Sequence, residues 1–200
     1  MQKINRRHLR LSNAVEAATA MPQHDAMVES ILQRYDACPE ARAHGLDWYC
    51  NARGLCEKMA EKGGVSLATA CAVVAALSPQ LRWDANINAA WAVMARMLPH
   101  GVLKSNVAKA LALVHGADIM DVLGGPKVNA FFANLFCPSS DAVTVDVWAA
   151  RAAGMPEGLS LTPARYRAVA AAYVEAAALR EVRPHQVQAV AWCQIRGSHS

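Results

Sequence analysis

A lysine and an aspartate stand nineteen residues apart in GGPKVNAFFANLFCPSSDAVTVDVW (residues 124–148), and both types can do chemistry. Lys127 follows two glycines and Pro126, a residue suited to a first helical turn because its missing N–H loses no partner there. That turn leaves backbone N–H groups unpaired, so it attracts anions such as a phosphate. The helix dipole opposes a cation at the same end and so favours the neutral amine, the form able to attack carbon and make a Schiff base. Asp146 follows an apolar helix and a loop long enough for the chain to turn back, which lets its carboxylate approach the lysine's end of that helix. The plain alternatives are a solvated surface lysine and an aspartate that caps the helix WAARAAG.

The elements that must position these two groups read as helices. Of 200 residues, 54% are apolar and 18% charged, enough for a substantial core and against disorder. Alanine makes up much of the apolar fraction, and alternating valine-rich runs are rare. The length points to one domain, or to two small lobes sharing a core. Val28, Ile31, Leu32 and Tyr35 mark one helix face. Trp48, Ala52, Leu55, Cys56 and Met59 mark another, stopped by Gly63 and Gly64. Ser66 should cap SLATACAVVAAL, apolar nearly all round and therefore central, and Pro79 should end it at Ser78. Further helices are expected over 84–98, over NVAKALALVHG behind Ser105 as cap, from Pro126, and after Asp146. Two more are expected from Pro163 to about 180 and from Pro184 to about 195, with ADIMDVL a short segment and VTVDV extended. The expectation is a compact all-α domain over residues 1–200, with roughly nine or ten helices.

The formal charge of +4 and a pI near 8.8 permit a polyanionic partner without demanding one. No apolar run approaches the roughly 18 residues of a membrane span. The basic start, MQKINRRHLRLSNAVEAATAMP, lacks the apolar centre of a secretory signal, although it shares the Arg-rich character of organelle transit peptides. The six cysteines form neither a CxxC pair nor a tight four-residue cluster, so no zinc site or iron–sulfur cluster is indicated. They read as mostly buried thiols of a reducing compartment, and a cytoplasmic location is expected. Nothing is read from the closing RGSHS.

Gly125-Pro126-Lys127-Val128, the apolar helix behind it and Val143-Thr144-Val145-Asp146-Val147 resemble the hairpin, lysine helix and aspartate turn of the helix-hairpin-helix DNA glycosylase superfamily. The likeness is closest to the 8-oxoguanine DNA glycosylase branch, with its G-x-K-V, apolar helix and V-x-V-D-V at the same interval. Upstream, Ala76-Leu77-Ser78-Pro79-Gln80 resembles the L-S-x-Q segment that ends an early helix in the endonuclease III branch. Both blocks stand in the family's order within residues 73–150. Three departures go with them. The family hairpin usually reads L-P-G-x-G, and here Leu123 replaces its first glycine. Trp148 stands where many members carry a phosphate-touching histidine. The iron–sulfur cysteines of the endonuclease III branch are absent, which suits the 8-oxoguanine branch.

The resemblance implies a helical glycosylase domain, as two small lobes around a cleft, that excises a damaged or modified base and nicks the abasic strand. Lys127 would be nucleophile and Schiff-base former. Asp146 would stabilise positive charge on the sugar and orient or deprotonate the lysine. Gln80 would be the wedge that fills the gap left by the flipped base; its plain alternative is a polar residue finishing a helix. Gly124 and Gly125 would approach the DNA backbone, in the family often with a bound monovalent cation and here without an iron–sulfur cluster. Arg82 could meet a phosphate, Trp83 could stack on a base, and Trp148 is a further DNA contact, against plain surface and core roles. Arg151, Arg165 and Arg167 would widen a basic face or form a solvated one. His185, Gln188 and Trp192 would line the pocket from the last helix, with core packing the alternative for Trp192. The partner expected is double-stranded DNA, met by a monomer without a membrane, in a bacterial or phage-encoded protein. Two other functions are compatible with the residues: a phage-type enzyme processing hypermodified thymine, and a non-catalytic DNA-binding module that keeps the hairpin.

Overall fold

The computed structural model describes residues 20–196, so the basic start up to residue 19 and the closing residues 197–200 lie outside the described residues. Among those described, ten helices and no strand occur. In chain order they are α1 (His24–Asp36), α2 (Pro39–Gly63), α3 (Leu67–Leu77), α4 (Trp83–Met94), α5 (Lys104–Val114), α6 (Ile119–Val122), α7 (Pro126–Phe136), α8 (Val147–Ala152), α9 (Pro163–Ala178) and α10 (Pro184–Arg196). No single helix among them is long and apolar enough to cross a membrane.

Most ends fall where side-chain chemistry puts them. Ser66 caps α3 by accepting from the Thr69 amide at 3.0 Å, and Thr162 caps α9 through the Arg165 amide. Pro126 opens α7 and Pro163 opens α9. Three ends differ from the sequence pattern. Helix α2 begins nine residues before Trp48, because extended Cys38 hands over to Pro39 and the acidic Glu40 suits a first turn. Helix α4 stops at Met94 rather than at 98, and Arg96 just beyond it has a left-handed φ of 62°. Ser105 lies inside α5, whose cap residue is Leu103 with no side-chain bond.

Two apolar clusters make the core. One gathers α2, α3, α4, α5 and α7 around α3, every residue of which from Ala70 to Leu77 is buried. The other gathers α1, α8, α9 and α10. Helices α2 and α10 join the two, and small residues let their backbones meet. A Cβ on Gly45 would lie 2.4 Å from Val190 Cα, so only glycine fits there.

The chain between α7 and α8 runs extended without a strand partner. Buried amide and carbonyl groups there need partners, and α9 supplies them. The Tyr166 hydroxyl donates to the Val143 carbonyl at 2.6 Å and accepts from the Val145 amide at 3.4 Å. Tyr173 donates to the Ala149 carbonyl at 3.0 Å. With Val143 and Val145 buried, this segment is held as firmly as a strand, and it ends on Asp146.

Candidate functional site

Against the first cluster lies a cavity of about 100 Å³, many times what one water needs. Its walls are aromatic: Trp48 and Tyr49 from α2, Trp83 from α4, Phe131 from α7 and Trp192 from α10. Trp48 is at the hub, with ring centroids 4.7 Å from Trp83 and 6.2 Å from both Phe131 and Trp192. Polar groups reach the same space from Ser78, Asn86, Lys127, Thr144, Asp146 and Gln188. The lysine and the aspartate singled out by the sequence therefore share one pocket, brought there by the N-termini of α7 and α8.

Asp146 is both cap and pocket wall. Its Oδ1 accepts from the Trp148 and Ala149 amides at 3.0 and 2.8 Å, and Oδ2 accepts from Trp192 Nε1 at 3.2 Å. A carboxylate has about four acceptor positions, so three N–H donors fix its plane and leave Oδ2 one lone pair for the pocket. All three donors are neutral. Lys127 is half-buried, and its amine pairs with no group among the described residues.

A polar wall backs the pocket. Tyr49 Oη lies 2.9 Å from Gln188 Oε1 and 3.1 Å from Thr144 Oγ1, and Asn134 Nδ2 donates to Thr144 Oγ1 at 3.1 Å. Tyr49 has one proton for two oxygens. Each hydroxyl then has a donor and an acceptor role when Thr144 donates to Tyr49 and Tyr49 donates to Gln188, while Asn134 Oδ1 keeps no partner among the described residues. Burial pushes the Tyr49 phenol far above its ordinary range, so this proton stays in place.

The residues expected to touch DNA lie around the pocket rather than in it. Gln80 is exposed with a left-handed φ of 66°, unusual for glutamine, and its neighbours Ser78 and Leu81 line the cavity. Arg82 is exposed at the start of α4, and Trp83 joins the pocket wall. Gly124 and Gly125 are exposed, and Gly125 takes a φ of 79° ahead of α7. The helix before them, α6, is a single turn capped by Asp118. The turn into α7 therefore follows a helix of only four residues. Trp148 lies outside the pocket, with the Arg151 and Arg196 guanidinium carbons 4.7 and 4.9 Å from its ring. Arg165 turns back to the Ser160 carbonyl at 2.9 Å, and Arg167 is exposed on α9.

From the last helix, Gln188 and Trp192 line the cavity and His185 does not. His185 lines a neighbouring cavity behind Tyr49, edge-on to that ring, with Nδ1 2.8 Å from the Ser140 carbonyl. Burial lowers its pKa, so it is the neutral ring that the fold prefers. Trp48, Tyr49, Asn86, Phe131 and Thr144 complete the site without having been legible as site residues. Their periodicity marked them only as helix faces or as extended chain. Lys109 was missed as well: its amine lies 3.9 Å from where a Cβ on Gly124 would be, over the hairpin. Among the described residues no three His, Cys, Asp or Glu side chains converge as a metal site.

The chain belongs to DUF7178, a family of unknown function, whose model matches residues 13–199. No curated protein and no solved structure matches it.

Proposed function

We propose that this member of the family is a DNA base-excision glycosylase with AP lyase activity, acting on a damaged or modified base flipped into the aromatic pocket. The observation that carries the reading is the meeting of Lys127 and Asp146 in one aromatic-walled cavity. Two further observations support it. The strained, exposed Gln80 sits between two pocket residues, where a wedge would have to be. The pocket is assembled from α2, α4, α7, α10 and the segment before α8, elements distant in the chain, as a base-binding pocket would be.

The chemistry follows from the groups. The Lys127 nitrogen attacks C1′ of the flipped nucleotide through its lone pair, forming an N–C bond as the glycosidic bond breaks. The base leaves with that electron pair and takes up a proton. Asp146 faces the positive charge that develops on the sugar, and the free lone pair on Oδ2 accepts the proton the amine gives up. Opening of the sugar at O4′ gives the imine. Loss of a C2′ proton then expels the 3′ phosphate, and water releases the lysine. Flipping costs a few kcal/mol of unstacking, which the aromatic walls and the Gln80 wedge offset. Gly124, Gly125, Lys109 and Arg82 would meet the DNA backbone. A monovalent cation at the hairpin would need backbone carbonyls. Those of Ile119 and Gly125 already accept from the Leu123 and Asn129 amides, so they would be only partly available to one.

Borohydride reduction tests the reading. Incubated with a duplex bearing an abasic site, the protein should give a covalent protein–DNA band that Lys127→Ala abolishes. DNA binding with no adduct under any condition would leave a binding module instead.

A further inference from the structure

Two amides in the pocket wall have groups left over after the fold has used what it needs. Asn86 is 2% exposed, and its Nδ2 donates to the Val74 carbonyl at 3.2 Å. That carbonyl would ordinarily accept from the Ser78 amide one turn on, but the Ser78 amide bonds Ala75 instead as α3 ends before Pro79. The Asn86 amide therefore cannot turn round, because its oxygen would then face another acceptor. Its Oδ1 is buried and has no partner among the described residues, a costly arrangement for a side chain that lines a cavity, and one that an N–H reaching the oxygen from the pocket would relieve. Gln188 is 4% exposed and mirrors it. Its oxygen takes the Tyr49 proton, which leaves its NH2 group without a partner on the pocket side.

We infer that Asn86 and Gln188 determine base specificity by reading the edge of the flipped base, Asn86 Oδ1 accepting from an N–H and Gln188 Nε2 donating to a neighbouring carbonyl or ring nitrogen. This rests on the glycosylase reading above. The pocket offers an enclosed acceptor and a fixed donor between aromatic rings. It therefore takes a planar heterocycle with a free N–H beside an acceptor, and rejects one whose edge nitrogen carries a methyl group. The Asn134–Thr144–Tyr49 chain of hydroxyl and amide groups is what fixes which way Gln188 presents its donor. Removing the base partner leaves a buried polar group unpaired, so discrimination against the methylated base should be large.

The test separates base reading from lysine chemistry. Single-turnover excision is measured on duplexes carrying uracil, 5-hydroxymethyluracil, 8-oxoguanine or a mispaired ordinary base. Each base that is excised is then compared with its counterpart methylated on the edge nitrogen. Borohydride trapping on an abasic duplex runs alongside, since that step needs no base. Asn86→Leu and Gln188→Glu should each slow excision roughly ten- to hundredfold, and both should still trap the abasic duplex, with folding checked by circular dichroism. The glutamate keeps an acceptor for Tyr49 and replaces the donor with a second acceptor, so it controls for a merely structural role. Excision unchanged in both variants, equal excision of the methylated bases, or trapping by the wild type with no base excised overturns the inference and leaves the lysine chemistry standing. Parallel loss of trapping and excision in folded variants overturns it in favour of a structural role. Failure of the wild type to trap sinks the glycosylase reading itself.

Discussion

Two aspartates of this chain, Asp146 at the pocket and Asp36 at the end of α1, are held in opposite ways. Asp36 meets full positive charge: Arg180 grips it through Nε at 3.2 Å and Nη2 at 2.5 Å, with Arg42 at 3.9 Å. The Arg180 hydrogen bond holds its carboxyl below the ordinary range. Asp146 meets only neutral N–H groups, two from the backbone and one from Trp192. A carboxylate answered by guanidinium groups has its charge cancelled on the spot. One fixed by amides and an indole is immobilised but electrically unanswered, and it remains available to a cation arriving from elsewhere. Under the proposed function that cation would be the charge developing on the sugar. The contrast separates a carboxylate neutralised within the fold from one that lines the candidate site.

Substitutions can sharpen this contrast. Asp146→Asn should cost most, on the order of 10²- to 10³-fold in single-turnover excision, because the preorganised charge is lost. Its thermal midpoint should fall only by what the lost Trp192 bond is worth, about 1–3 kcal/mol at most, since asparagine keeps the cap but its NH2 cannot accept from the indole. A large stability loss with activity retained would reverse the assignment. Trp192→Phe keeps the ring and removes the indole N–H, so it frees Oδ2 to swing. Excision should fall about tenfold, within the range of a lost bond to a charged group, with the salt-bridged Asp36 region unaffected by hydrogen exchange. Asp36→Asn should do least: about 0.2–1 kcal/mol of stability, as for an exposed pair, and no change in activity. The sign with pH is fixed. A carboxyl whose folded value lies below the ordinary 3.8 contributes stability that is complete above that value and is lost as pH falls toward the folded one. The difference between wild type and Asp36→Asn should therefore vanish in acid, and a difference that grows in acid would contradict the pairing.

Much of the helical frame was legible because period and punctuation agree. Ser66 caps α3, Gly64 takes the left-handed turn after α2, and prolines open α7, α9 and α10 where the pattern put them. The ends that moved lack such marks: Leu103 caps α5 with no side-chain bond, and Ser105, a good cap by type, sits two residues past that position. At the pocket, Lys127 and Asp146 were singled out by the resemblance, and the plain alternative for Asp146, a helix cap, is met as well. Asn86 was not singled out. Its importance arises from a carbonyl twelve residues earlier that Pro79 leaves unpaired, and no periodicity carries that. Gly45 tells the same story in the core, where its need to be glycine comes from Val190, a residue on a helix far along the chain. Trp148 shows the reverse case. Its place after Asp146 marked it as a DNA contact, and in the fold arginine side chains already lie against its ring.

The central claim is about one nitrogen atom, and peptide mapping addresses it. After borohydride trapping on an abasic duplex and nuclease digestion, mass spectrometry should find the sugar-derived mass on Lys127 alone. The same mass on Lys109, whose amine overhangs the hairpin, or on no lysine at all, would contradict the account.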